Sequence, residues 1–321
     1  MKQRALPSTG KARSFLRRLR NGDQIAHLIT LTAAGTIFII TALILYELFV
    51  QSALPRHKFG WDFLITTTWD PVAGQFGALP FIYGTVVASF LALIFAIPLG
   101  LGSAIFLAEM APPRLSDVFT FLIELLAAVP SVIYGLLGIF VLVPILQEYV
   151  VPSIKSVFGF LPIFQGAFYG VSYFSAGVVL SIMIVPFIVS VSREVLMSVP
   201  REQREASLGL GGTRWQTTWR VVIPFAFKGI MGSVFLALAR ALGETMAVTM
   251  VIGNTPQIKA SLLAPGYSIA AVIANEFTEA VGDLYLGALI ELGLVLFALT
   301  FLINGLARLL IVATTRRGAN A

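Results

Sequence analysis

Two opposite charges, Arg240 and Glu244, stand in an apolar stretch that reads GIMGSVFLALARALGETMAVTMVIG over residues 229–253. A charge at the centre of a bilayer costs on the order of 2.5–3.5 kcal/mol on insertion scales, so such residues face a bundle interior or an aqueous path. Their spacing predicts a shared helix face and an ion pair, although Arg before Glu is the less favourable order. The pair is interpreted either as a buried packing contact or as the polar lining of a path for an anion.

Two more carboxylates in apolar stretches are candidates for the same path. Glu124 precedes Pro130 by about two helical turns, and a proline removes a backbone hydrogen bond and frees a carbonyl group. Glu291 lies about two turns into the last apolar run. Either side chain could instead form a buried structural pair, so both interpretations stay open.

The composition indicates a membrane protein and excludes several kinds of site. Of 321 residues, 57% are hydrophobic and 12% are charged, about half of the roughly 25% found in soluble domains. The chain has no cysteine and two histidines, which excludes disulfides, thiolate metal sites and cysteine nucleophiles. It also lacks a G-x-x-x-x-G-K-[ST] loop for ATP. We therefore expect a chain that is not an enzyme and holds no cofactor or metal of its own.

Six apolar runs are long enough to cross a membrane, since about 20 helical residues span the hydrocarbon core. They lie near 25–50, 79–108, 118–146, 173–192, 229–253 and 284–312. The fold class predicted is therefore an all-α integral membrane protein with six transmembrane helices. In the fifth run, small residues recur at every fourth position and predict a close approach by another helix; they are Gly229, Ser233, Ala237 and Ala241.

The uneven distribution of basic residues predicts the orientation. Seventeen of the 22 basic residues fall on one side of the predicted membrane. They lie in the amino-terminal tail (1–24), the loop 193–228, one short loop, and the carboxyl end with its tail 313–321. The opposite loops hold four. Both termini and the loop 193–228 are therefore predicted to be cytoplasmic, with residues 25–312 forming the membrane domain.

The opposite loops contain features of their own. Trp61 and Trp69 are typical of residues that anchor a protein at the bilayer interface. The third of these loops, about 254–283, is predicted to contain a short re-entrant helix.

The loop 193–228 reads as helix, glycine turn, helix. Gly209, Gly211 and Gly212 permit the positive φ of a sharp reversal, and Thr213 can cap the second helix. Pro224 is expected to stop that helix before the fifth span. The segment either rests on the inner leaflet or docks into a cytosolic protein.

The same residues carry a resemblance. Importer permeases of ABC transporters have a cytoplasmic loop of pattern E-A-A, three residues, G, nine residues, I, one residue, L-P, and the chain has a similar pattern with small or apolar departures. The matching residues are Glu205, Ala206, Ser207, Gly211, Val221, Ile223 and Pro224. The resemblance implies a MetI-like permease fold. It also implies that Glu205, Ala206, Ser207, Gly211, Ile223 and Pro224 couple the chain to an ATPase.

Within that family the chain is most similar to the permeases of phosphate importers, from about residue 25 onward. The stretches are FGALPFIYGTVVASF (76–90), IELLAAVPSVIYG (123–135) and RALGETMAVTMVIGN (240–254). The resemblance implies a role for Arg240 and Glu244 in phosphate passage across the cytoplasmic membrane. It implies three kinds of partner: a second permease subunit, an ATPase dimer that binds ATP and Mg, and an external phosphate-binding protein.

Several alternatives remain open at this point. The substrate could be molybdate or sulfate, or the chain could be the sister permease of the same phosphate importer. A channel or secondary transporter that needs no ATPase is a different class. A membrane-embedded enzyme is disfavoured because the chain lacks nucleophile, metal and base constellations.

Overall fold

The computed structural model describes residues 23–318 and places side chains over residues 25–309. The predicted amino-terminal tail lies almost wholly outside these residues, as do residues 319–321. The chain divides into two units, residues 1–51 and residues 52–321.

The described part of the first unit is one apolar helix, α1 (Asp23–Gln51). Its threonine hydroxyls bond back to its own backbone: Thr30, Thr36 and Thr41 each donate to the carbonyl four residues earlier, at 2.7, 2.8 and 2.9 Å. In lipid every polar group must find a partner within the protein, and these hydroxyls do so within the helix itself.

The second unit is built from helices and loops. Short helices come first, followed by long ones that alternate with short ones. In chain order they are α2 (Ala53–Phe59), α3 (Asp62–Ile65), α4 (Leu79–Met110), α5 (Pro113–Ala127), α6 (Ser131–Phe158), α7 (Tyr173–Met197), α8 (Arg201–Gly209), α9 (Arg214–Leu242), α10 (Met246–Val251), α11 (Ile269–Glu276) and α12 (Asp283–Gly318).

Six helices of the described chain are long and apolar enough to cross a membrane, which confirms the predicted fold class. They are α1, α4, α6, α7, α9 and α12. Helices α4, α6 and α9 contain π-helical turns, which shift the backbone register without ending the helix.

The third span was predicted wrongly. Residues 118–146 do not form one helix, because α5 ends at Ala127 and α6 begins at Ser131. Pro130 has an extended backbone (ψ 140°) and cannot donate to the preceding turn, so it separates the two helices. The span itself is α6, which runs on to Phe158, and Glu124 lies outside it on α5.

The fifth span also differs at both ends. Pro224 does not stop the preceding helix, because it follows a π-helical turn (Thr218–Val222) and occupies one of the first positions of the renewed α-helix, where a missing N–H is tolerated. Helix α9 is therefore continuous from Arg214 to Leu242. It ends at Gly243, well before the predicted residue 253. Helix α12, which contains the sixth span, continues beyond the predicted residue 312 to Gly318.

Helix α7 forms the centre of the second unit, and small residues bring its neighbours close. A methyl group on Gly229 of α9 would overlap Val195, and one on Gly100 of α4 would overlap Ile188. Ser192 and Ser233 share a hydrogen bond of 2.6 Å between α7 and α9. The stripe of small residues predicted in the fifth span thus faces α7, and the predicted close approach is confirmed.

A second core joins the loops between spans. Trp69 packs edge-on against Phe76 and Phe81, with ring centroids 4.9 Å apart in both cases. The Trp69 indole N–H also donates to Glu276 at 2.9 Å, and the Tyr285 hydroxyl donates to the same carboxylate at 2.7 Å. Trp69 is therefore held by protein contacts, in addition to any contact with lipid. The short helix predicted in the third of these loops is present as α11.

Candidate functional site

The candidate site centres on the break between α9 and α10, where Arg240 lies. Arg240 occupies the last turn of α9, and Gly243 ends that helix. A cation in the last turn is favoured by the partial negative charge of a helix C-terminus. Arg240 is therefore at an end of a helix and not midway along a span, as the sequence had suggested.

An aromatic side chain from α7 contacts the guanidinium. The Arg240 Cζ atom lies 4.3 Å from the ring centroid of Phe187. This distance is within the range of a cation–π interaction, which is stronger where water is excluded. The Arg240 side chain is otherwise exposed on this unit. The contact orients the guanidinium while its N–H donors stay available to a ligand in the plane of the group.

Tyr134 is a buried residue of α6. Its hydroxyl donates to the Leu126 carbonyl at 2.7 Å, across the Pro130 break. Leu126 lies four residues before Pro130, so this is the carbonyl that the missing proline N–H leaves available. The Leu126 carbonyl also accepts from the Val129 N–H at 3.2 Å, and the bond from Tyr134 ties α6 to the end of α5.

Glu244 does not pair with Arg240. No salt bridge joins these two residues in the described part of the chain, and Glu244 lies beyond the end of α9, so the predicted shared helix face does not form. The Glu244 Oε1 atom instead accepts from the backbone N–H of Ala247 at 3.2 Å. A carboxylate at this position stabilises the start of a helix, here α10.

Hydroxyl groups surround the other side of Glu244. It lines a narrow crevice together with Thr85 and Ser89 of α4 and Ser268 at the start of α11. The Thr85 hydroxyl accepts from the Ile269 N–H at 2.9 Å and so fixes α11 against α4. Arg240 and Glu244 thus flank one helix break but face different neighbours.

The close packing of α10 makes this break a defined structure. A side chain on Gly135 of α6 would overlap Met250, and one on Gly138 would overlap Val251. Helix α10 therefore lies directly against α6. Phe187 was not singled out from the sequence as a neighbour of Arg240, since a contact between residues so far apart in the chain leaves no local pattern.

The two other predicted path residues lie elsewhere. Glu124 is exposed on α5. Glu291 is buried in α12 beside a separate cavity whose wall includes Arg56 and Trp61. The structure brings neither carboxylate together with Arg240 and Glu244.

The predicted coupling residues lie on α8, the turn after it and α9. Glu205 and Ala206 are exposed, and the Ser207 hydroxyl lies 2.9 Å from that of Thr217. Gly211 has a φ of 86°, which favours glycine, whereas Gly209 and Gly212 do not have positive φ. On α9, Ile223 is half-buried and Pro224 is exposed.

Two further contacts position this segment. The capping box predicted in part at Thr213 is complete, because its hydroxyl accepts from Gln216 N–H at 3.2 Å and the Gln216 side chain accepts from Thr213 N–H at 3.0 Å. Arg204 of α8 binds Glu109 at the end of α4 through Nη2 (2.7 Å) and Nε (3.3 Å). Glu109 thus joins α4 to α8.

Comparisons with known proteins agree with this architecture. Residues 96–315 match the family model described as "Binding-protein-dependent transport system inner membrane component". The chain is 47% identical over 320 residues to the phosphate transport system permease protein PstC of Mesorhizobium japonicum, covering 98% of each chain. It is 36% identical over 292 residues to the probable PstC of Methanocaldococcus jannaschii, covering 89% of this chain and 92% of the relative.

Solved structures support the fold. A chain of a bacterial ABC transporter involved in the import of the acidic polysaccharide alginate superposes with a TM-score of 0.55 and 18% identity, over 92% of this chain and 98% of that one. A chain of the MetNI methionine ABC transporter gives a TM-score of 0.52 at 16% identity, over 75% and 98%. The chain belongs to the family of binding-protein-dependent transport system inner membrane components.

Proposed function

We propose that this chain is a permease subunit of an ATP-driven importer and that it passes inorganic phosphate across the cytoplasmic membrane. The observation that carries the proposal is the 47% identity to a phosphate permease along nearly the whole of both chains. The position of Arg240 adds a physical reason, since a guanidinium at a helix break inside the membrane domain offers planar paired donors to a phosphate oxygen pair.

Arg240 and Glu244 have different parts in the proposed path. Arg240 balances the charge of the anion as it passes, and Phe187 keeps the guanidinium oriented toward it. Glu244 keeps α10 in place through Ala247, and its negative charge disfavours an anion resting at the break. Because Glu124 and Glu291 lie apart from this group, we leave them out of the path.

Energy enters from other subunits in this proposal. The chain has no ATP-binding loop, so an ATPase dimer would bind ATP and Mg, and it would contact the exposed Glu205 and Ala206 on α8. A movement of α8 would reach the membrane domain by two routes. The contact of Arg204 with Glu109 joins α8 to α4, and α9, which begins after Thr213, continues to Arg240. The orientation with both termini in the cytoplasm places α8 on the ATPase side.

The remaining partners complete the path. A second, similar permease would pack against this chain and line the other side of the path beside Arg240. An external phosphate-binding protein would deliver phosphate to the loops opposite α8. Neither partner adds a cofactor to this chain.

The proposal is tested by reconstituting the whole transport complex in liposomes and measuring phosphate uptake driven by internal ATP. Arg240→Gln should reduce uptake at least about a hundredfold, because the charged contact that Arg240 would make to the passing anion is lost, while the complex still assembles. Arg114→Gln, an exposed cation on α5, is the matched control and should transport normally.

Three results would overturn parts of this proposal. Normal uptake by Arg240→Gln would remove Arg240 from the path. Uptake of molybdate or sulfate in preference to phosphate would change the substrate. Uptake by this chain alone without ATP would assign it to channels or secondary transporters.

A further inference from the structure

A cavity of about 690 Å³ lies beside α12, away from the α9–α10 break. Its size is that of a small-molecule site, for which about 300–1,000 Å³ is usual. Its wall combines residues from α2, α3, α4 and α12 with the link between α2 and α3. The polar part of the wall is Arg56, Trp61 and Glu291, and the apolar part includes Leu64, Ile82 and the α12 side chains given below.

Glu291 is the unusual member of this wall. It is 6% exposed, and its Oε2 atom has no hydrogen-bond partner among the described residues. A buried carboxylate oxygen without a partner is costly, and in native structures such a group points to a ligand, a water or an ion that completes it. The proposed phosphate path gives Glu291 no role.

The apolar wall below Glu291 is a straight stripe along α12. Its members follow Glu291 at the spacing of one helix face; they are Leu294, Val295, Ala298, Leu299 and Leu302. From Glu291 to Leu302 the stripe is about 16 Å long. That length matches one leaflet, which is half of a hydrocarbon core of about 30 Å. An extended acyl chain fits such a stripe.

The polar end has charges of both signs. Arg56 already donates from Nη1 to the Ser52 hydroxyl at 3.2 Å, and its guanidinium has five N–H donors, so it can also hold a phosphate oxygen. Glu291 supplies an acceptor for an N–H donor. Trp61 is 83% exposed beside them, as expected of a ring at the membrane interface. The charge pattern therefore complements a headgroup that contains both a phosphate and a protonated primary amine.

We propose that this cavity is a binding site for a phospholipid with a primary-amine headgroup. The amine donates to Glu291, the phosphate binds Arg56, and one acyl chain lies along the Leu294–Leu302 face of α12. The site is independent of the proposed phosphate path, because it shares no residue with the α9–α10 break.

The test compares three lipids on the full chain, purified with the subunits that accompany it. Binding of phosphatidylethanolamine, phosphatidylcholine and phosphatidylglycerol is measured by native mass spectrometry after delipidation. Phosphatidylcholine is the sharp comparison, since its quaternary nitrogen has no N–H to donate. We expect wild-type protein to prefer phosphatidylethanolamine to phosphatidylcholine by about tenfold, as a charge-assisted hydrogen bond at a dry site implies.

Three variants separate the parts of the site. Glu291→Gln keeps the shape and removes the charge, so the preference for the amine lipid should disappear while binding of phosphatidylcholine is retained. Ala298→Phe places a bulky side chain on the apolar stripe and should weaken the binding of all three lipids. Glu148→Gln, an exposed carboxylate on α6, is the matched control and should leave the preference unchanged. Because Glu291→Gln removes a buried charge, it should fold at least as well as wild type.

Several results would overturn the proposal. Equal binding of the two lipids by wild type, or an undiminished preference in Glu291→Gln, would show that Glu291 does not receive the amine. A preference for phosphatidylglycerol would indicate that Glu291 accepts from a headgroup hydroxyl and not from an amine. If no lipid binds and an Ala298→Cys side chain, the only cysteine in the chain, cross-links to another subunit, the cavity is a protein interface.

Discussion

At the scale of single residues, the decisive feature is that Arg240 lies at the end of a helix against an aromatic ring. Its charge is stabilised by the C-terminus of α9 and by the face of Phe187, 4.3 Å away, and not by Glu244. A guanidinium balanced by a ring and a helix end keeps its full charge for a ligand. A guanidinium in an ion pair would have to exchange its carboxylate partner for the anion.

Phe187→Leu tests this arrangement, because leucine keeps the apolar bulk but removes the ring face. A cation–π contact contributes about 0.5–2 kcal/mol, so we expect the KM for phosphate uptake to rise by a few-fold up to about thirtyfold. The complex should assemble as in wild type. Phe90→Leu, an exposed ring elsewhere on α4, serves as the control. An unchanged KM in Phe187→Leu would mean that the ring does not orient Arg240.

Glu244 offers a separate prediction about stability. Glu244→Gln keeps an oxygen that can accept from Ala247 N–H, whereas Glu244→Ala leaves that donor without its side-chain acceptor. Loss of a helix cap costs about 1 kcal/mol. Thermal melting of the purified complex should therefore fall by a few degrees in Glu244→Ala and little in Glu244→Gln. Equal melting temperatures in the two variants would contradict the capping role.

At the scale of helices, α8 is attached to the membrane domain by one charged side chain. Arg204 binds Glu109 of α4 and also donates to the Leu196 carbonyl at 2.8 Å and the Val199 carbonyl. The same guanidinium thus links the ends of α4 and α7 to α8. Partial burial of both partners makes this link stronger than a surface salt bridge.

We expect Arg204→Gln to weaken the coupling of ATP hydrolysis to uptake. The phosphate transported per ATP hydrolysed should fall severalfold, while the binding of the ATPase through the exposed Glu205 surface is retained. The measurement is the ratio of uptake to ATPase rate in liposomes. Arg201→Gln, an exposed arginine on the same helix, is the control, and an unchanged ratio in Arg204→Gln would exclude this link from coupling.

Local patterns were sufficient to predict most of the helices. Hydrophobic length predicted the number of spans, but not the position of the third or the ends of the fifth. The fourfold spacing of small residues predicted the α7–α9 contact, and Thr213 predicted the start of α9. Local patterns failed where the outcome depends on context. Hydropathy continues across Pro130 and Gly243, so the breaks there were not visible in it.

Local patterns could not predict the contacts at the site, because these contacts join residues that are far apart in the chain. Arg204 and Glu109 are 95 residues apart, and only the packing of α4 against α7 brings them together. Arg240 and Phe187 are likewise far apart in the chain, and the packing of α9 against α7 brings them together. Glu124 and Glu291, which the sequence left open as path residues or buried pairs, lie outside the group. An apolar neighbourhood does not show which face of a bundle a carboxylate occupies.

At the scale of the whole second unit, Glu276 joins segments far apart in the chain. It accepts from Trp69, from Tyr285 of α12 and, at 3.4 Å, from Tyr267. The loops at this side are therefore tied to α11 and α12 as one body. A binding protein that docks here would meet a preformed surface.

The stability of the protein at alkaline pH tests whether Tyr267 is buried beside Glu276. Burial, with a smaller contribution from Glu276, raises the pKa of Tyr267 to about 12, above its ordinary value of 10.0. The unfolded chain then releases this proton before the folded one does, so the stability is complete below pH 10 and falls as the pH rises from 10 to 12. Melting temperature against pH should fall less steeply in Tyr267→Phe over that interval. Identical slopes would show that Tyr267 is not buried as described.

The unbroken helix from Arg214 to Leu242 works as a lever. The helix begins at the capped turn after α8, and Arg240 lies about 39 Å away along the axis. A tilt of only about 5° about the Arg214 end would displace Arg240 by roughly 3 Å, which is the length of one hydrogen bond. A small angular movement at the α8 end is thus magnified into a displacement large enough to make or break a hydrogen bond of Arg240.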